Sequence, residues 1–213
     1  MTIQNHGVNV NLFAELALIS EGGAHNVRIR IGENGKITDV ESSVSPGPED
    51  LQLHNRILLP AMTNLHSHSF QRSMAGLNEK RAKIQNNFWS WRDLMYSFLE
   101  RLNPDHIEGI AALVFMEMLE SGYASVGEFH YLHHQRGGQP YENFAETSSR
   151  IFAAALQTGI GLTHLPVFYM QGDLNGEQLS HAQLRFGNNA DRYFILLEQI
   201  EKEVQRAPED YML

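Results

Sequence analysis

Hydrophobic and polar positions follow two different patterns along the chain, and the change lies near residue 58. In the earlier part, apolar positions alternate with polar ones, most clearly from Val27 to Ile31. The Asn34-Gly35 pair that follows suits a tight hairpin turn, because both residue types tolerate positive φ angles. Alternation with period two is typical of half-buried strands, so we predict a small β domain over residues 1–58.

Further along the chain, short apolar runs alternate with longer segments of helical periodicity. The predicted strands cover residues 56–68, 123–132 and 160–170. The predicted helices cover residues 86–102, 103–122, 141–159 and 189–207. Asn103 followed by Pro104 is a favourable helix start, and Gly122 and Gly159 are favourable helix ends.

This order of elements predicts a parallel sheet, because parallel strands need long crossover connections and helices commonly provide them. The fold class is therefore α/β, with a second and larger domain over residues 59–213.

The feature with the clearest chemical meaning is the histidine pair in LPAMTNLHSHSFQR, residues 59–72. His66 and His68 are two apart, so on a strand they would face the same side. They lie at the carboxyl end of the predicted strand, where parallel α/β folds build their sites. Two neutral imidazoles suit Zn²⁺ or another divalent ion, although hydrogen-bonded polar residues at a strand end are the alternative. Further histidines that could contribute are His130, His133, His134 and His164, which could equally be structural.

Composition and charge limit the kinds of molecule that the chain is expected to bind and the compartment in which it is expected to lie. The net charge is −9 and Lys and Arg are scattered, which argues against nucleic-acid phosphates and an anionic membrane as partners. No apolar run approaches the ~18 residues of a membrane-spanning helix, and the N-terminus lacks the features of a signal peptide. The chain has no cysteine, so a metal would take nitrogen or oxygen ligands. We therefore expect a cytoplasmic protein.

Three segments carry a resemblance to a known family. The stretch LLPAMTNLHSHSFQRSMAGL, residues 58–77, is similar to the metal-binding first strand of the amidohydrolase superfamily. With FWSWRDLMY at 88–96 and EFHYLHH at 128–134, it resembles the formimidoylglutamate deiminases within that superfamily. The His-x-His pattern is typical of the whole superfamily, whereas the other two segments are more specific. The sequence departs from the family pattern at Ala61, usually glycine, and at Ser69, often alanine.

The resemblance implies a (β/α)8 barrel combined with a β-sandwich that both chain ends form. This chain would supply part of the sandwich and a partial TIM-like barrel, its first three βα units. The third metal histidine, the metal aspartate and the catalytic histidine and glutamate of the family would all follow Leu213. The resemblance therefore assigns no catalytic residue to residues 1–213, and such a fragment would be inactive alone.

The resemblance also implies ligands and a reaction. His66 and His68 would bind one ion, Zn²⁺ or another divalent metal, and Gln71, Arg92 and Tyr131 would bind the substrate. The reaction would be the hydrolytic deimination of N-formimino-L-glutamate to N-formyl-L-glutamate and ammonia, in histidine degradation. An arginine fork and polar amide and hydroxyl groups suit a substrate with two carboxylates. A homodimer is expected for the full-length protein.

Two other interpretations stay open. The chain could belong to another amidohydrolase deaminase, one acting on guanine, cytosine or an S-adenosylhomocysteine-like substrate, for which an apolar base pocket would replace the carboxylate clamp. It could also be a non-catalytic metal-binding fragment.

Overall fold

The computed structural model describes residues 9–77 and 88–207, and the chain divides into two units between Ala61 and Met62. Parts of three sequence predictions lie outside the described residues. They are the start of the β domain (1–8), the start of the first helix (86–87) and the end of the second domain (208–213).

The first unit contains one four-stranded sheet with strand order β3-β2-β1-β4. Its strands are β1 (Val10–Ile19), β2 (Gly22–Ile31), β3 (Ile37–Glu41) and β4 (Leu51–Leu58). The first three strands are antiparallel neighbours, and β4 lies parallel to β1. Gly35 has a φ of 79°, as the predicted turn between β2 and β3 requires. Phe13, Ala14, Ala17 and Val27 are the buried apolar residues of this sheet.

The second unit contains a parallel three-stranded sheet with strand order β5-β6-β7. Its strands are β5 (Met62–Ser67), β6 (Tyr123–His130) and β7 (Gly161–Pro166). The prediction of a single strand over residues 56–68 is wrong, because β4 ends at Leu58 in one sheet and β5 begins at Met62 in the other. Pro60 lies between them, and proline has no N–H group to donate to a sheet ladder.

Four α-helices accompany the second sheet within the residues that the structure describes. They are α1 (Phe88–Leu99), α2 (Pro104–Glu120), α3 (Glu146–Thr158) and α4 (Ala190–Val204). Asn103 is the N-cap of α2, with its side chain accepting a hydrogen bond from the His106 N–H at 2.8 Å. Gly122 and Gly159, the predicted helix ends, have φ angles of 89° and 80°. None of the helices that the structure describes is long and apolar enough to cross a bilayer.

The two faces of the parallel sheet differ in burial. Along β6 and β7, Val126, Glu128, Leu162 and His164 are buried, and the apolar core that contains Val126 and Leu162 also contains helical residues such as Phe115 and Ile151. The other face exposes apolar side chains, namely Leu65, Phe129 and Leu165. Strands alternate their side chains between faces, so Phe129 lies opposite its neighbours Glu128 and His130.

Candidate metal and substrate site

The two histidines of the His-x-His motif lie close together. His66 is exposed on β5, and His68 follows the end of that strand. Their ring centroids are 5.1 Å apart with the ring planes nearly perpendicular. The β5–β6 pairing changes register between Asn64 and Ser67, so the strand is irregular where His66 leaves it. The expected proximity of the two rings is therefore found, and their ligation of a metal stays a prediction.

The ring of His68 is oriented by the next strand. Its Nδ1 lies 3.2 Å from the carbonyl oxygen of Phe129, at hydrogen-bonding distance. The rings of Phe129 and Tyr131 stand edge-on to it, with centroids 5.1 and 5.6 Å away. A carbonyl can only accept, so Nδ1 carries the proton in this bond and Nε2 holds the lone pair.

Gln71 and Tyr131 meet across the sheet end. The Gln71 amide Nε2 donates to the Tyr131 hydroxyl at 2.9 Å, although 60 residues separate the two positions. Burial raises the pKa of Tyr131 to about 12, against the opposing effect of the Gln71 hydrogen bond. The phenol therefore remains protonated at neutral pH. It donates to the sulfur of Met95 on α1, at 3.8 Å.

Arg92 lies on α1, about one helical turn before Met95. Its guanidinium carbon is 5.8 Å from the centroid of the Tyr96 ring, which is a cation–π distance. The structure thus brings His68, Gln71 and Tyr131 into one group. It places Arg92 on the helix that this group contacts through Met95.

Glu128 holds the backbone on both sides of His68, and the sequence reasoning missed it. This fully buried carboxylate accepts hydrogen bonds from Ser67 Oγ on β5 and from both the N–H and the Oγ of Ser69, the latter two at 2.7 Å. Burial raises the pKa of Glu128, while the bonds from Ser67 and Ser69 act to lower it. A glutamate between the apolar residues Val126 and Phe129 of a predicted strand was the available indication.

The additional histidines form a separate buried cluster. The ring of His130 lies 5.4 Å from that of His133 and 5.2 Å from that of His164. His130 and His164 each have Nε2 at 3.0 Å from a hydroxyl of α3, those of Thr147 and Ser148. Burial lowers the pKa of His133 to about 4 and that of His164 to about 3, and it also lowers the pKa values of His130 and His134. These neutral side chains therefore serve as packed hydrogen-bonding groups.

Within residues 9–77 and 88–207, no three or more His, Cys, Asp or Glu side chains are arranged to hold a metal ion. The His66–His68 pair therefore offers two nitrogen ligands. A catalytic zinc site in proteins takes three protein ligands and water.

Two family models match consecutive parts of the chain. Residues 10–54 match the model described as the N-terminal domain of formimidoylglutamate deiminase HutF. Residues 57–196 match the amidohydrolase family model. The resemblance stated from the three sequence segments is thereby confirmed.

Individual proteins agree with these models. The chain is 44% identical to the formimidoylglutamate deiminase of Pseudomonas aeruginosa, over 92% of this chain and 43% of that protein. The crystal structure of an amidohydrolase from Brucella melitensis is 42% identical with a TM-score of 0.86, over 92% of this chain and 43% of that one. The crystal structure of atrazine chlorohydrolase from Arthrobacter aurescens, complexed with zinc, has a TM-score of 0.67 at 16% identity, over 95% of this chain and 45% of that one.

At 16% identity, the likeness to the Arthrobacter hydrolase concerns the fold alone. The chain spans less than half the length of each of the three proteins. Since the amidohydrolase model matches about two thirds of the chain and the fold agrees, the chain belongs to the amidohydrolase family.

Proposed function

We propose that the chain is the N-terminal part of a metal-dependent formimidoylglutamate deiminase. The complete protein would hydrolyse N-formimino-L-glutamate to N-formyl-L-glutamate and ammonia. The observation that carries the proposal is the contact of Gln71 with Tyr131 beside the His66–His68 pair. The 44% identity to the Pseudomonas aeruginosa deiminase supports the choice of substrate.

The histidine pair has the donor set for one divalent ion. The hydrogen bond from His68 Nδ1 to the Phe129 carbonyl leaves Nε2 as a ligand nitrogen, which is the usual arrangement of a metal-binding imidazole. His66 is exposed beside it. We assign Zn²⁺ on this donor set, and the zinc complex of the Arthrobacter hydrolase supports it. When bound, zinc supplies a Lewis acid that makes water a nucleophile at neutral pH.

The other three residues suit the two ends of the substrate. Arg92 would bind a carboxylate through the two N–H groups of its guanidinium fork. Gln71 and Tyr131 already form one hydrogen-bonded unit, so both are held in place before a ligand arrives. Tyr131 remains a protonated phenol at neutral pH, so its single O–H can turn from the Met95 sulfur to a carboxylate oxygen of the substrate. None of these side chains is assigned as a general base, so residues 1–213 alone would show no turnover.

The sheet of the second unit fits the first three βα units of a barrel. Its strands are parallel and in sequence order, and residues of the accompanying helices share the core with its buried side chains. Parallel sheets are normally covered on both faces, yet the opposite face exposes Leu65, Phe129 and Leu165. In a closed barrel that face would be the packed interior.

We also propose two domains, over residues 1–58 and 59–213, of which the first is part of a β-sandwich. The complete protein would be a cytoplasmic homodimer.

The proposal is tested by joining residues 1–213 to the C-terminal part of the Pseudomonas aeruginosa deiminase in place of its own N-terminal part. The zinc-loaded chimera should release ammonia from N-formimino-L-glutamate and none from guanine, and the 213-residue chain alone should release none. Arg92→Ala in the chimera should raise KM at least tenfold with a smaller change in kcat, because it removes a binding contact.

Arg101→Ala is the matched control, since Arg101 is an exposed arginine beyond the end of α1 and its loss should leave KM unchanged. Ammonia release from guanine but not from N-formimino-L-glutamate would favour the purine-deaminase alternative. A KM unchanged by Arg92→Ala would refute the carboxylate clamp.

A further inference from the structure

Glu128 lies on the opposite side of the sheet from the histidine pair. It pairs with Ser67 in the β5–β6 ladder, so the two side chains share one face. That face is buried, with exposed fractions of 0% for Glu128 and 5% for Ser67. The next residue, Phe129, points to the other face, where its ring contacts His68.

The carboxylate of Glu128 binds both residues that flank His68. Ser67 donates its hydroxyl to Oε2. Ser69 donates its N–H and its hydroxyl to Oε1, and both of these Ser69 bonds are 2.7 Å long. The backbone is therefore held immediately before and after His68. The carbonyl of Phe129, one residue after Glu128, completes the arrangement by accepting from the His68 ring.

Three donors on two oxygens match an ionised carboxylate, which only accepts. A buried charge of this kind costs several kcal/mol unless it is well hydrogen-bonded, so an apolar residue would be a simpler way to fill the space. The glutamate is better explained by what it orders, namely the turn that carries His68.

We infer that Glu128 is a positioning residue of the His66–His68 metal site. It anchors Ser67 and Ser69 and so sets the backbone from which His68 reaches a divalent cation. This inference rests on the proposed function only in that the histidine pair binds a metal.

The test measures metal binding by the 213-residue chain, with Zn²⁺ and Co²⁺ as probes. Glu128→Met keeps the volume and removes all three acceptor contacts. The dissociation constant for Zn²⁺ should rise about tenfold or more, the size of effect found when outer partners of metal ligands are removed. The visible absorption bands of bound Co²⁺ should also shift, because the ligand geometry changes.

Glu128→Gln should restore most of the affinity. Its amide oxygen can accept from Ser69 while its NH₂ group donates to the Ser67 hydroxyl. Glu203→Met is the matched control, since it also removes one negative charge but lies on α4, where Glu203 pairs with Arg206. Its affinity for Zn²⁺ should equal that of the unchanged chain.

A purely structural role predicts a different result: the melting temperature of Glu128→Met falls, while the dissociation constant and the Co²⁺ bands of the folded protein stay unchanged. That result overturns the inference. If Glu128→Met does not fold, Ser67→Ala provides a milder test, because it removes one donor alone and should weaken Zn²⁺ binding at least threefold. Unchanged Zn²⁺ binding by Ser67→Ala would also overturn the inference. Equal Zn²⁺ binding by the unchanged chain and by His68→Ala would instead refute the proposed metal site itself.

Discussion

At the scale of single residues, buried polar groups decide how the loops of the second unit are held. Arg185 is the clearest case, because its side chain is 1% exposed and its guanidinium donates to three backbone carbonyls, with a further side-chain hydrogen bond to Tyr141. The carbonyl acceptors are those of His134, at 2.9 Å, of Leu99 at the end of α1, and of Leu102 just beyond it. A cation near the C-terminus of a helix also interacts favourably with the helix dipole. One side chain thus connects the loop before α4 with the end of α1.

Replacement of Arg185 by methionine should lower the free energy of unfolding by about 3 kcal/mol, because the buried carbonyls lose their donor. Urea unfolding followed by circular dichroism measures this loss. Arg206→Met is the control, since Arg206 is an exposed residue paired with Glu203, and its effect should stay within about 0.5 kcal/mol. Equal effects of the two replacements would contradict the role given to Arg185.

At the scale of elements, the helices of the second unit begin where local chemistry places them. The side chain of Asn103 caps α2 by accepting from the His106 N–H, and His106 Nδ1 accepts from the N–H of Asn103 in return. Asn189 caps α4 in the same way, through the N–H of Arg192. These bonds satisfy N–H groups that have no partner within the helix.

Asn103→Ala should therefore lower the free energy of unfolding by about 1 kcal/mol, whereas Asn103→Ser should retain most of the stability because a serine hydroxyl also caps. Thermal unfolding of the three proteins under one set of conditions provides the comparison. A loss in the serine variant as large as in the alanine variant would show that Asn103 acts through something other than its cap.

At the scale of the whole molecule, the neutral histidines join the sheet to α3 and make stability depend on pH. Burial lowers the pKa of His133 to about 4 and of His164 to about 3, below the ordinary value of 6.5. At pH values between these lowered pKa values and the ordinary pKa of histidine, the unfolded chain binds more protons than the folded chain. The free energy of unfolding therefore falls as the pH falls. The stabilisation is complete above pH ~7.5 and is lost progressively below it.

We expect the free energy of unfolding to decrease by about 1 to 3 kcal/mol between pH 7.5 and pH 5.5, as measured by urea unfolding at each pH. His164→Gln removes one of the titrating groups, so its decrease over the same interval should be smaller. A free energy of unfolding that is the same at both pH values would contradict the burial of uncharged imidazoles.

The local pattern of the sequence was enough for much of the architecture. Helical periodicity, the Asn103-Pro104 start and the glycine ends depend on neighbours within a few residues, so α2 lies close to its predicted bounds. The Asn34-Gly35 turn is local in the same sense. The predicted start of α3 at residue 141 was too early, because the helix begins at Glu146 after an irregular segment. Periodicity does not define helix ends as sharply as caps do.

The α/β class, the family and the histidine pair could all be inferred from the amino-acid sequence, because periodicity and short motifs depend on neighbouring residues. The folded chain was needed to show that residues 56–68 belong to two sheets, that Gln71 meets Tyr131, and that Glu128 binds Ser67 and Ser69. Those contacts join positions about 60 residues apart in the chain. Which distant groups meet depends on strand register and packing, and neither is encoded within a local segment.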